Sequence, residues 1–318
     1  MGLPWLDHPA WSVVERAEAA LGEPLASLLI DAPATTLART RDAQLAVLLT
    51  SLVVWEAAAP VIHEHHYVVA FAGHSLGQVT ALIASGALPL EGGVRLAARR
   101  ADLTQAAADA RPGRMAALLG ASLDQAEEAC AAAPHACWLA NDNAPGQVVI
   151  AGSPEGVDAA VARAKEIGVR RAKILGVGGA FHTPLMDSAR AGLVAALAET
   201  PFDAPRSPVV SNHDAEAYSD ADGWRERLAD HVAVPVRWRR SMERLEGLGA
   251  EAFFEIGNGS MIAGVAKRTL PGLPVHGIAS PADLEALAAA AAPIVADIGG
   301  GQAKGREAPA HIAVVDSP

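Results

Sequence analysis

An α/β fold with a small subdomain set into it is what this 318-residue sequence predicts. Two observations carry the prediction. Strand–turn–helix units flank the middle of the chain on both sides, and between them runs one contiguous β-α-β-β-α-β block. A third observation, a 51% content of apolar and aromatic residues, makes a sizeable core affordable in one large or two unequal domains.

In chain order, the apolar run Ala43 to Ile62 comes first. It is interrupted by Gln44, Thr50, Ser51, Glu56 and Pro60, so it reads as a buried helix rather than a membrane span. His63, His65 and His66 follow Pro60 and read as a polar loop, with a metal site the weaker alternative. Tyr67 to Ala72 is a strand of β-branched and aromatic residues, followed by a Gly-flanked turn and a helix from Gln78. Gly92 to Ala108 is a further helix.

Arg114 to Gly120 then predicts a strand, and Ser122 caps a helix with Gln125 at capping-box spacing. Cys137 to Ala140 and Gln147 to Ala151 are two strands across the turn-rich Asn143-Ala-Pro-Gly146. Ser153-Pro154 opens a helix to Gly168, with Pro at the first helical position, and Arg171 to Val177 is the closing strand. That order is the ferredoxin-like arrangement. Beyond it, Phe253 to Ile256 is a strand, Ser260 to Lys267 a helix, Val275 to Ile278 a strand, and Ser280-Pro281 caps an Ala-rich helix. The expected domains are therefore 1–112 with 179–296 as a discontinuous main domain, and 113–178 as the subdomain. The Gly-, Ala- and Pro-rich residues 297–318 are expected to be a disordered tail.

Charge and cysteines narrow the function classes. A formal net charge of −11 argues against nonspecific nucleic-acid binding, which needs concentrated Lys and Arg. The two cysteines, Cys130 and Cys137, form neither a disulfide framework nor a zinc pattern, and no signal peptide is visible. A cytoplasmic protein that engages neither membrane nor metal is the expectation.

The chemistry-bearing pattern is Gly73-His-Ser75-Leu-Gly77 between a strand and a helix. A serine on a tight strand-to-helix turn needs small residues two positions away, and the helix start places backbone N–H groups near its hydroxyl. The bland alternative is a Gly-rich turn whose serine caps a helix. A serine nucleophile needs a base. His74 adjoins Ser75, but successive side chains on a turn diverge. His182, in Gly178-Gly-Ala-Phe-His-Thr-Pro-Leu-Met186, is better placed, at the point where the chain re-enters the main domain. From the residues alone, a structural histidine there is as good a reading as a catalytic one. Arg95, Arg99 and Arg100 share one helix, and periodicity does not choose among them.

Three segments together, Gly73-His-Ser-Leu-Gly77, Asn143-Ala-Pro-Gly-Gln-Val-Val-Ile-Ala-Gly152 and Gly179-Ala-Phe-His-Thr-Pro-Leu-Met186, resemble the malonyl-CoA:acyl carrier protein transacylases of fatty-acid synthesis and the related acyltransferase domains of polyketide synthases. The likeness spans roughly Leu6 to Leu287. It implies an α/β-hydrolase-like main domain with an inserted ferredoxin-like subdomain, and ping-pong transfer of malonyl from malonyl-CoA to the phosphopantetheine thiol of an acyl carrier protein. It implies Ser75 as nucleophile, His182 as base and the Leu76 N–H as an oxyanion donor. His182 would be oriented by a backbone carbonyl at His231, where Gln is common. It selects Arg100, 25 residues after Ser75, to bind the malonyl carboxylate through its planar fork. Phe181 resembles the malonyl-selective form of its motif, and Gln44 and Asn143 match positions near the pocket. No cofactor is implied beyond the carrier's own phosphopantetheine, and a monomer is expected.

Family members begin with a strand followed by Gly-Gln-Gly-Ser-Gln, which completes the oxyanion hole; the segment opening with Met1-Gly-Leu-Pro-Trp5 matches neither. The expectation is a start assigned about a dozen residues or more too late; a chain that truly began here would lack a central strand and one oxyanion donor, the latter worth ~10²- to 10³-fold in rate. Gln78 stands where Glu is frequent. The competing functions are a stand-alone acyltransferase for a polyketide synthase, a serine thioesterase or esterase, and an inactive truncated homologue that only binds.

Overall fold

The computed structural model describes residues 1–291 and 310–316. Among the described residues ten strands form two sheets: β1 His66–Gly73, β2 Arg114–Leu119, β3 Cys137–Ala144, β4 Gln147–Gly152, β5 Arg171–Ile174, β6 Val209–Val210, β7 Ala217–Tyr218, β8 Ala252–Ile256, β9 Val275–Ile278 and β10 Ala310–Asp316. The larger sheet runs β7-β6-β1-β10-β8-β9 and the smaller β3-β4-β2-β5.

The smaller sheet is fully antiparallel. Its strand order and its two helices, Leu123–Ala131 and Pro154–Glu166, give the ferredoxin-like arrangement the sequence predicts. The predicted caps form. Ser122 and Gln125 make a reciprocal capping box, and Ser153 accepts the Gly156 N–H with Pro154 in the first turn. Both helices pack on one face of the sheet around Leu118, Ile150 and Val157. β3 runs further than expected, through Asn143 and Ala144, with irregular register after Leu139. The reason is a second partner, because Asp142 donates its N–H to Val236 O and Ala140 O accepts from Val236, both at 2.9 Å. The main domain thus holds the end of β3 extended, and a two-pronged Arg239–Asp142 contact at 2.9–3.2 Å reinforces the seam.

In the larger sheet every neighbour is parallel except the β6–β7 pair. Helices cover both faces, as parallel sheets require. Thr40–His65 packs on one side, among Leu45, Leu49, Val53 and Phe71; Trp238–Gly247 and Met261–Thr269 pack on the other, around Phe253 and Val315. Thr40–His65 is long and apolar enough to cross a membrane by composition, yet its most apolar window is 72% buried inside the fold. It is the core helix that its interrupted apolar run predicts. It continues past Pro60, so His63 and His65 lie in its last turn and His66 opens β1, where a loop is expected. Proline removes one donor, but the packing of Ala58 and Ile62 in the core outweighs that loss. His66 packs edge-on against Phe254. Among the described residues no group of three or more potential ligands is placed to hold a metal ion.

The largest correction concerns the expected tail. Residues 310–316 are not disordered but form β10, the strand between β1 and β8 at the middle of the sheet, with Phe71 opposite Val314 and Phe254 on the other side. The rest of that tail, 297–309 and 317–318, lies outside the described residues. Ile312, Ala313, Val314 and Val315 are all buried. A strand covered on both faces has no polar alternation, so His311-Ile-Ala-Val-Val315 carries only a short apolar signal beside a Gly- and Ala-rich stretch. The central strand expected to be missing is supplied by this segment.

Candidate active site

The site lies at the carboxyl ends of β1, β6 and β10, where parallel sheets leave a crevice. The turn after β1 carries Ser75 with φ of 55°, a left-handed conformation that a non-glycine residue holds only when its surroundings enforce it. The flanking glycines are required. A Cβ on Gly73 would sit 1.8 Å from Gly77 O, and one on Gly77 would come within 3.0 Å of Asp316. Strand and helix therefore approach as the elbow pattern predicts.

His182 also has left-handed backbone, with φ of 61°. Its Nε2 lies 2.7 Å from Ser75 Oγ, and its Nδ1 lies 2.8 Å from His231 O. His231 ends the helix Trp224–His231, whose last carbonyls have no partner within the helix. His182 uses two of these orphan acceptors, since its own N–H donates to Val232 O at 3.1 Å. Nδ1–H donating to a carbonyl leaves the Nε2 lone pair facing the serine hydroxyl. Burial, aided by the nearby Arg100 charge, pushes His182 down to about 3, so the ring is neutral at physiological pH. An imidazolium formed there would face the negative end of a helix. The His231 ring, 4.9 Å from that of His182, is likewise buried and held well below the ordinary histidine range.

Of the three arginines on the helix Leu90–Ala110, Arg95 and Arg99 are exposed and Arg100 is buried. Arg100 Nη2 donates to Ser75 Oγ at 3.1 Å and Nη1 donates to Gln44 Oε1. Burial lowers its pKa to about 10, which leaves it charged at neutral pH. Among the described residues it has no ion-pair partner within 4.0 Å. A buried guanidinium beside a serine hydroxyl, without a carboxylate, has the fork geometry to pair with one. Gln44, on the first turns of Thr40–His65, fixes the fork from behind.

Leu76 has helical backbone, and its N–H finds no acceptor among the described residues. Phe181 is half-buried between the main core and the inner face of the small sheet, with its ring against Gly179. Asn143 lies beside the nucleophile turn, where its Oδ1 pairs at 2.8 Å with Nε2 of His74, the residue before Ser75. His74 points away from the nucleophile, packs near Trp238 and is pushed down to about 4 by burial.

Two contributors to the site escaped the sequence. Asn212, fully buried just after β6, accepts the Ser75 N–H on its Oδ1 at 2.8 Å. Asp316, at the end of β10, accepts the His74 N–H on its backbone oxygen at 2.9 Å, and its carboxylate accepts from Ser51 Oγ at 2.7 Å. The one available signal for Asn212 was its place in Ser211-Asn-His213, directly after the apolar pair Val209-Val210.

Residues 1–290 match the family model described as acyl transferase domain. The malonyl CoA-acyl carrier protein transacylases of Escherichia coli K12 and Bacillus subtilis are 36% and 34% identical over 278 and 275 residues. Those alignments cover 85% of this chain in each case, and 87% and 86% of the relatives. The crystal structure of the malonyl-CoA:acyl carrier protein transacylase from Xanthomonas oryzae superposes with a TM-score of 0.85 at 35% identity, covering 91% of this chain and 94% of that one. A type II PKS acyl-carrier protein complexed with its malonyl-transacylase matches with a TM-score of 0.83 at 30% identity, over 88% and 91% of the two chains.

Proposed function

The chain belongs to the acyl transferase domain family, and from that premise we propose that it transfers malonyl from malonyl-CoA to the phosphopantetheine thiol of an acyl carrier protein through a malonyl-Ser75 intermediate. The observation that carries the reading is Arg100: buried, charged, free of any ion pair among the described residues, and 3.1 Å from Ser75 Oγ. An esterase or thioesterase of uncharged acyl groups has no use for that charge, whereas a malonyl group brings the missing carboxylate.

The geometry supports the following course. Malonyl-CoA enters with its carboxylate on the Arg100 fork, which Gln44 holds in place, while Phe181 limits the room beside the methylene carbon. Ser75 Oγ attacks the thioester carbonyl carbon as His182 Nε2 takes the hydroxyl proton. The Leu76 N–H donates to the resulting oxyanion. Collapse breaks the C–S bond, and His182 returns the proton to the departing CoA thiolate. In the second half the carrier's thiol gives its proton to His182 and attacks the acyl-serine, and Ser75 leaves as the hydroxyl. His182 stays oriented throughout by His231 O. Asn143 acts through His74, tying β3 of the subdomain to the nucleophile turn.

We assign the carrier to fatty-acid synthesis. A polyketide carrier is the second reading, favoured by the likeness to the type II PKS complex. The exposed basic residues Arg170, Arg171 and Lys173, with Arg237, Arg240, Lys267 and Arg268, are the surface we propose for an acidic carrier on a chain whose net charge is −11. We further propose a monomer acting in the cytoplasm without a bound cofactor; light scattering of the purified protein tests the former. The decisive experiment follows labelled malonyl from CoA. Transfer to carrier protein through an adduct of about 86 Da on Ser75 supports the reading, and release to water alone overturns it.

A further inference from the structure

The nucleophile turn is gripped by acceptors that belong to no part of the reaction. Of its three successive amides, His74 N–H is taken by Asp316 O at 2.9 Å and Ser75 N–H by Asn212 Oδ1 at 2.8 Å, while Leu76 N–H is left unbound among the described residues. Asn212 is itself fixed. Its N–H donates to Gln78 Oε1 at 2.8 Å, and Gln78 Nε2 donates to Val210 O at 3.2 Å. Asn212 is fully buried and Gln78 nearly so, so this loop from the end of β6 to the first turn of the helix Gly77–Ala84 excludes water.

We propose that Asn212 is a positioning residue that locks Ser75 in its left-handed conformation and reserves the Leu76 amide for the oxyanion. The argument is one of local geometry. At φ of 55° Ser75 is strained by contact of its Cβ with its own backbone, and the turn would relax toward the ordinary right-handed region if nothing held its amide. Relaxation rotates the Cα–Cβ bond and swings Oγ away from both His182 Nε2 and Arg100 Nη2, which converge on it at 2.7 and 3.1 Å. The side-chain oxygen of Asn212 is the acceptor that prevents this. A buried amide accepting a strained N–H through a neutral oxygen also leaves the potential at the oxyanion site undisturbed, which a carboxylate in the same place would not.

The inference rests on Ser75 as the nucleophile, and the experiment separates the two. Malonyl labelling of Ser75 in the unaltered protein tests the nucleophile; steady-state kinetics of Asn212→Ala and Asn212→Ser, each checked for a folded-state circular dichroism spectrum, test Asn212. A misplaced nucleophile costs rate rather than ground-state binding. The alanine variant should therefore lose about 10²-fold in kcat with KM for malonyl-CoA within about threefold. Asn212→Ser, whose hydroxyl keeps an acceptor but is shorter, should recover part of that loss. Folded Asn212→Ala with kcat within about threefold of the unaltered protein overturns the proposal, as does a loss carried by KM alone. Should the alanine variant not fold, the serine variant decides by the same split between kcat and KM. A role in folding alone would lower the melting temperature and leave kcat per folded molecule unchanged.

Discussion

The two sheets of this molecule are assembled in opposite ways. The small one is drawn from a single stretch, Arg114 to Ile174, with each strand hydrogen-bonded to a partner inside that stretch. The large one is gathered from segments far apart in the chain, with β1 at residues 66–73 and β10 at residues 310–316 side by side at its centre. The local sheet carries no group that touches Ser75 Oγ, while the gathered sheet presents the nucleophile turn. Chemistry here sits where distant segments meet, because a constellation of serine, histidine and arginine must converge from different directions on one point. The small sheet reaches the nucleophile turn through Asn143 on β3, and the chain that leaves it packs Phe181 against its inner face just before His182.

The sharpest break of this contrast is at Ser75 itself. Ser75→Ala should abolish the malonyl adduct and lower kcat by about 10⁴-fold or more, read by intact-protein mass and transfer kinetics; retained labelling would place the nucleophile elsewhere. Next is Arg100→Ala, which should lower kcat/KM for malonyl-CoA by about 10²- to 10³-fold, the loss expected of a buried charge-assisted pair, while leaving or raising acetyl-CoA turnover. An unchanged malonyl-to-acetyl ratio would count against it.

The pH profile refines the same pair. A proton on His182 removes the base, and burial with the Arg100 charge holds that proton off until about 3. The acid limb of kcat/KM should therefore lie well below the ordinary histidine range of about 6.5. Removing the Arg100 charge should move the limb upward but not fully to that range, because burial is the larger cause. A limb that stays fixed would show that Arg100 does not act on His182.

The contrast in assembly predicts a contrast in stability. Val315→Ala, in the buried centre of β10, should cost about 2 kcal/mol by removing methyl groups from a packed core. Ile174→Ala, on the edge strand β5 and 46% exposed, should stay within about 0.5 kcal/mol. Equal shifts in the denaturant midpoint would erase the distinction between central and edge strands. The smallest effect is expected for His231→Gln, within about threefold in kcat, since the backbone carbonyl rather than the ring orients His182.

Much of this is legible in the sequence. The β-α-β-β-α-β order, the capping box at Ser122, the proline-led helix after Ser153 and the elbow around Ser75 all follow from contacts within a few residues. His182 was legible only as an alternative, and Arg100 only through family resemblance. On its helix Arg100 is distinguished from Arg99 by a rotation of one residue, which periodicity does not resolve and burial does. Asn143 was placed near the pocket, but its actual partner, His74, depends on how β3 is bent by its pairing with Val236.

By itself the sequence determined the local grammar: which residues start helices, which turn is tight enough to expose a serine, and which segment closes on itself as a subdomain. Those choices are governed by sterics and hydrogen bonds between near neighbours, so their signals lie in short windows. Only the tertiary structure decided that residues 310–316 are the central strand, that Asn212 holds the Ser75 amide, and that Arg100 is buried without a counter-charge. Each of these depends on residues more than fifty positions away. A strand buried on both faces and an acceptor delivered from another strand leave no periodic trace in their own neighbourhood.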